Sequence, residues 1–367
     1  MTSHSTEHTT DVAVVGGGLV GLATAWRAAQ RGLSVTVLDR GALGEGASRA
    51  AAGMLAPVSE AEADELPLLR AGLASVARWP AFAAELHEAS GLDPGHLRCG
   101  TLIVARDADE AAWLERELAL RERLGLRAQR LLGSEARRRE GGLAPGVRLG
   151  LDVPDDHAVD PRAVVASLAA ACERAGVVLR PGEEVVEHDA TSVTTAAGER
   201  IAAGRVVLAA GAWSGAPVRP VKGQILRLRD PQGPGLFERV IRYERGYLVP
   251  RGDGRYVLGA TVEERGFDTT VTAGGVRELL AEAQLIVPGI DDMVLEEAMA
   301  GLRPGTPDNA PLVGFDARGV LLATGLYRNG VLLCPLIAEA VVALLCDEQP
   351  PEEALAFAPG RFAETSA

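Results

Sequence analysis

The stretch VAVVGGGLVGLATAWRAAQRGLSVTVLDR, residues 12–40, leaves the chain few folds to choose from. VAVVG is a short apolar run with β-branched residues and reads as a buried strand. Gly16, Gly18 and Gly21 follow in G-x-G-x-x-G spacing. LVGLATAWRAAQRG then has helical spacing, and Gly32 is placed to end it. SVTVLD reads as a second buried strand and ends in Asp39. This is a complete β-α-β unit. Its glycines let the chain turn tightly, approach a pyrophosphate and pack helix on strand. The helix N-terminus offers N–H groups and the positive end of a dipole to phosphates. Asp39 lies 23 residues after Gly16, where an acid accepts from a ribose 2′-OH and repels a 2′-phosphate. The unit predicts a dinucleotide site of the NAD or FAD type and does not by itself choose between them.

The 367 residues suggest two domains or one composite one, and 47% apolar residues supply a globular core. A net charge of −13 argues against a nucleic-acid partner and against an anionic membrane surface. The four cysteines, Cys99, Cys172, Cys334 and Cys346, contain no C-x-x-C and read as reduced thiols of a cytoplasmic protein. No histidine pair has metal-ligand spacing, and no G-x-S-x-G occurs, so no metal site is expected. The N-terminal MTSHSTEHTT lacks the apolar centre of a signal peptide. The most apolar region, residues 319–346, is interrupted by Arg328, Asn329, Pro335 and Glu339. A membrane span needs about 20 uninterrupted apolar residues, so a strand, a turn and a buried helix are expected there.

Residues 61–91 and 107–140 have helical spacing, with a strand at 101–107 between them. Residues 161–175 form an amphipathic helix, with Asp160 as its cap and Pro161 as its first residue. Several strands follow to residue 214, and VKGQILRLR, RVIRYERGYLVPR and RYVLGATVEE add more, with RGDGR as a hairpin turn. A helix is expected near 273–287. This order predicts an α/β fold: a Rossmann-like dinucleotide domain interleaved with a β-rich α+β substrate domain. Residues 10–60, 151–215 and 299–360 are assigned to the first, and 61–150 and 216–298 to the second. The ligand pocket then lies at the seam.

Three further segments favour a flavin over a nicotinamide. SRAAAGM, residues 48–54, is small enough for a flat ring to lie close to backbone. VVLAAGAWS, residues 206–214, is a strand that ends at Gly211 in the same crevice. GLYRNGVLLCPLIAEAVVALL places Gly330 at a helix start, whose dipole favours negative charge on a reduced ring.

VVGGGLVG, SRAAAGM, PVKGQ, YLVPR, AGLRPGTPDNAPLVG and GLYRNGVLLCP together resemble the glycine oxidase group of the D-amino-acid oxidase superfamily, the flavoproteins associated with thiamine synthesis. The resemblance covers residues 10–346. It implies non-covalent FAD and oxidative deamination of glycine to glyoxylate, ammonia and hydrogen peroxide. The hydride goes to flavin N5, with O2 as acceptor. It implies FAD contacts at Leu19, Val20, Asp39, Arg40, Ala47, Ser48, Ala52, Gly53 and Met54, beside those at Gly16, Gly18, Gly21 and Gly211. Val185 serves the adenine side, and Leu326, Tyr327, Arg328, Asn329, Gly330, Val331 and Leu332 wrap the flavin head. Substrate contacts map to Tyr247, Arg303 and Arg328. A homotetramer is also implied. The chain departs from the pattern at Arg245, where the group has a histidine, which puts pocket size and charge in question.

The chemistry suits these residues. Oxidation at an α-carbon requires positioning rather than an acid or base side chain. Arg303 can fork onto a substrate carboxylate, or form a structural pair with Asp308. Tyr247 can donate to the same carboxylate, or be a half-buried strand aromatic. Arg328 touches substrate or shapes the turn at Asn329-Gly330. Lys222 sits near the ring or, more commonly for such a residue, is a solvated strand end. Met54 packs over the ring. Covalent sarcosine oxidases attach flavin near the segment that here reads AMAGLRPGT, and this segment has no cysteine. The alternatives are a sarcosine or D-amino-acid oxidase or dehydrogenase, and a flavin-binding subunit that needs a partner.

Overall fold

The computed structural model describes residues 8–366. The strand His8–Val15 lies between Arg200–Leu208 and Val35–Asp39, parallel to both. Val178–Pro181 extends this sheet beyond Val35–Asp39, and Leu321–Thr324 extends it beyond Arg200–Leu208. Leu312–Phe315 closes that edge antiparallel. The last strands of the chain therefore return to the first sheet. The helices Leu19–Gln30, Pro161–Arg174, Cys334–Leu345 and Leu66–Ser90 share one core with it, around Trp26, Trp79 and Phe82. The helix Pro161–Arg174 starts as its sequence dictates: Asp160 accepts from the Arg162 amide at 3.0 Å, and Pro161 occupies the first turn.

The second sheet has eight strands and is mostly antiparallel. The long strands Arg219–Arg229 and Val294–Gly305 form one side, and Arg255–Gly259, Gly246–Pro250 and Val240–Tyr243 follow. Thr101–Ala105, Leu149–Val153 and Gln129–Leu132 complete it. Leu149–Val153 and Val294–Gly305 span residues 151 and 299, and both belong to this second sheet. The helix Ala273–Gln284 packs on it and is capped by Thr272, whose hydroxyl accepts from the Gly275 amide at 3.1 Å.

Residues 107–140 are not one helical region. The helix Ala108–Arg123 is followed by a strand, Gln129–Leu132, and a second helix, Gly133–Arg139. Gly125 takes φ +68°, which ends the first helix and releases the next segment to pair with Leu149–Val153. Among the described residues no helix is long and apolar enough to cross a membrane. The four cysteines are unpaired thiols.

Where the sheets meet, Met54–Leu55 pairs with His157–Ala158. His157 Nδ1 lies 3.1 Å from His96 Nε2, and the His96 ring stacks toward Trp79. Burial pushes His96 down to about 4, helped by His157 and Arg98, and burial also lowers His157. A base with a depressed folded value takes up a proton on unfolding, so the fold loses stability as pH falls from about 6.5 toward 4. His96→Gln is expected to flatten that loss. Melting temperatures at pH 6.5 and 4.5 check it, and equal acid sensitivity in the two proteins would contradict it.

Candidate active site

A cavity of about 900 Å³ is walled by both sheets. It begins at Asp39, Arg40 and Val185, passes Gly16, Gly18, Leu19 and Val20, and continues along Ala47, Ser48, residues 50–54 and 326–328, Gly330 and Val331. It ends at Tyr247, Arg303 and Glu60. The size suits a large extended ligand.

The first end is built by the glycine turn. Gly16 takes φ +110°, and a Cβ there would lie 2.5 Å from the Ala209 oxygen. The turn can therefore press against the end of Arg200–Leu208 only as glycine. The Asp39 carboxylate accepts from the Gly17 amide at 2.7 Å and the Gly41 amide at 2.9 Å, which holds the second strand against the turn. Gly18 caps the helix Leu19–Gln30 without a side chain, and the Ser48 hydroxyl accepts from the Leu19 amide at 3.1 Å. Gly21 lies outside the cavity wall: a Cβ there would meet the Gly16 oxygen at 1.9 Å, so it serves helix packing.

At the far end two side chains lie over glycines of neighbouring strands. Arg303 is on Val294–Gly305, opposite Val221. Its guanidinium covers Gly223, where a Cβ would be 2.4 Å from both terminal nitrogens. Tyr247 pairs with Gly259, and a Cβ at Gly259 would be 2.6 Å from the Tyr247 hydroxyl. Burial raises the Tyr247 phenol, Glu60 adds to that rise and Arg303 opposes it, so the group remains a protonated donor at neutral pH. Asp308 pairs with Arg361, not with Arg303. The Arg303 hydrogen bonds are long ones to the Lys222 and Thr261 carbonyls, at 3.4 and 3.3 Å. Among the described residues it has no carboxylate partner, so its fork is available to a ligand.

Arg328 is exposed at the rim, between this cavity and a smaller one lined by Glu62, Glu65, Asn329 and Leu332. Asn329 and Leu332 line only the smaller cavity, and the Leu332 carbonyl accepts from Ser75 and Trp79 in the core. The helix expected to start at Gly330 runs from Cys334 to Leu345. The turn before it is already helical, with the Leu333 amide donating to the Asn329 carbonyl at 2.8 Å. Arg245 does not shape the cavity: it occupies an exposed strand-to-strand turn and faces Glu282 at 3.7 Å. Lys222 is neither solvated nor on the cavity wall. It is fully buried, 2.9 Å from Asp268 and 3.7 Å from Glu263. His188 lines the cavity and lies on the same strand as Val185.

Glu60 had no signal in the sequence beyond an acidic run. The fold gives it a place. The buried Asp156 carboxylate accepts from the Val58 and Ser59 amides at 3.1 and 3.2 Å. The Ser59 carbonyl accepts from Arg121 at 2.7 Å and Arg242 at 2.6 Å. Residues 58 and 59 are thus pinned on both sides, and Glu60 follows directly at the cavity.

The walls fit a flavin dinucleotide: an unencumbered glycine turn for a pyrophosphate, small residues at Ala50–Gly53 for a flat ring, and length enough for both. Residues 11–344 match a family described as FAD dependent oxidoreductase. The bifunctional protein ThiO/ThiG of Synechocystis sp. is 36% identical over 98% of this chain, but the chain spans only 55% of that relative's length. The glycine oxidase of Geobacillus kaustophilus is 37% identical over 92% of this chain and 93% of its own. The crystal structure of glycine oxidase from Geobacillus kaustophilus is similar with a TM-score of 0.91 and 34% identity, covering 96% of this chain and 99% of that one. The family match includes both sheets and every segment that lines the cavity. The chain belongs to the family of FAD dependent oxidoreductases.

Proposed function

We propose that this protein oxidises glycine: glycine, O2 and water give glyoxylate, ammonia and hydrogen peroxide. The observation that supports it most is the Tyr247–Arg303 pair at the end of an FAD-sized cavity, with no carboxylate among the described residues engaging Arg303. When bound, the flavin supplies the acceptor for the two electrons and the hydrogen leaving the substrate's α-carbon.

The protein's own part is binding and orientation. Gly16, Gly18, Leu19 and Val20 would hold the pyrophosphate, with Asp39, Arg40 and Val185 at the nucleoside. Ala47, Ser48, Ala52, Gly53 and Met54 would flank the ring, with Leu326, Tyr327, Gly330 and Val331 opposite. No cysteine lines the cavity among the described residues, which supports non-covalent binding. Arg303 would fork onto the substrate carboxylate, and the Tyr247 hydroxyl would donate to it. Arg328 at the rim would guide the carboxylate inward. Four unpaired thiols support a cytoplasmic site of action. The homotetramer remains part of the proposal, checked by light scattering.

Oxygen uptake tests the substrate. Glycine is expected to drive it with one ammonia released per O2. Faster turnover of sarcosine or D-alanine, with glycine inert, would contradict glycine as the substrate.

A further inference from the structure

Near Arg40 and Gly46 the cavity is bordered by two aromatic rings that the dinucleotide pattern does not require. Trp213 ends the short helical turn Gly211–Trp213, which follows the first-sheet strand Arg200–Leu208. Phe267 lies between the second-sheet strand Arg255–Gly259 and the helix Ala273–Gln284. Their ring centroids are 5.6 Å apart, tilted by 30°. The Arg40 guanidinium sits 3.9 Å from the centre of the Trp213 ring. All three residues line the cavity, yet Trp213 is 37% exposed and Phe267 55% exposed. Their open faces border the cavity and offer aromatic surface that a ligand there would cover.

The segment carrying Phe267 is fastened at its stems. The Lys222 and Glu263 backbones exchange two hydrogen bonds of 2.9 Å. Gln224 donates to Glu263 at 2.7 Å and accepts from the Thr272 amide at 2.9 Å. The buried Lys222 ammonium donates to Asp268 at 2.9 Å, and Asp268 is the residue next to Phe267. An ion pair from the buried Lys222 of the second sheet to the half-exposed Asp268 therefore helps set where the ring over the cavity can sit.

We infer that Trp213 and Phe267 form a clasp from opposite sheets that retains bound FAD, with Lys222 as its positioning residue through Asp268. The inference rests on FAD as the cofactor. The clasp adds no group to the chemistry. It controls how fast the cofactor leaves, because the two bodies must separate at this contact before the cavity opens there.

Apoprotein reconstituted with FAD provides the test, read by flavin fluorescence as the cofactor is released. Phe267→Ala is expected to release FAD about tenfold faster, the scale of one lost aromatic contact with its buried surface. Phe267→Tyr is expected to restore slow release. Trp213→Leu should match Phe267→Ala, and Lys222→Met should speed release although it touches no cavity atom. Melting of the apoprotein should be the same for Phe267→Ala and wild type, because the ring is exposed. Wild-type release rates in both Phe267→Ala and Trp213→Leu would overturn the clasp. A wild-type apoprotein that takes up no FAD would instead overturn the cofactor assignment, and the clasp with it.

Discussion

Replacing Arg303 with alanine is expected to lower kcat/KM for glycine by a hundred- to a thousandfold, about 3–4 kcal/mol, while FAD stays bound. Arg303 stands at the end of the cavity beside Tyr247, and its guanidinium lies flat on Gly223. Among the described residues no carboxylate pairs with it, and Asp308 is taken by Arg361. The loss would therefore be that of a charged, forked contact with the substrate, not of a structural pair. Arg303→Lys keeps the charge and loses the planar fork, so it should recover only part of the activity. Tyr247 is held near it by the Gly259 pairing and should persist in either variant. Steady-state kinetics with flavin content measured on the same samples checks this. Normal glycine kinetics in Arg303→Ala would remove Arg303 from the substrate site.

Gly53→Ala is expected to damage both the fold and cofactor binding, with a loss of about 3 kcal/mol or more. Gly53 takes φ +82°, a conformation that costs any residue with a Cβ. A Cβ there would also lie 2.0 Å from the Val159 oxygen and 2.8 Å from the Pro161 ring. Neither neighbour can yield easily. The Val159 amide donates to the Gly53 carbonyl at 2.9 Å, and the Val159 carbonyl accepts from the buried Arg251 at 3.2 Å. Arg251 also donates to the Ala52 carbonyl at 2.8 Å, and Asp160 and Pro161 begin a helix. The methyl group would push apart the junction of both sheets beside the proposed ring site. Thermal unfolding and the flavin-to-protein ratio read the two effects. A variant that melts like wild type with full FAD would show that this junction adapts.

How much of this was legible in the sequence follows the range of the interactions. The β-α-β unit of residues 12–40 and the Asp160 cap depend on local periodicity and turn residues, and both can be read directly from their own segments. The break at Gly125 was less visible, because the flanking Ala, Leu, Glu and Arg residues fit a helix on either side. Lys222 shows a harder case. In VKGQ it looks like a strand end meeting water, and its partners Glu263 and Asp268 come 41 and 46 residues later. Only the pairing of the strand with that segment buries the lysine and brings those carboxylates to it. Glu60 is similar: its neighbours are pinned by Asp156, Arg121 and Arg242, three residues from distant parts of the chain. Arg245 failed in the other direction, since its position two residues before Tyr247 placed it near the pocket in sequence but in an exposed turn in space.

An anaerobic titration of the FAD-loaded protein with glycine tests the central claim most directly. The flavin band is expected to bleach as glycine is added and to return when air is admitted. Those two changes would show, in one cuvette and without a partner protein, that the chain takes electrons from glycine and passes them to oxygen. An oxidised spectrum that persists at saturating glycine would contradict the account, even with FAD bound in full.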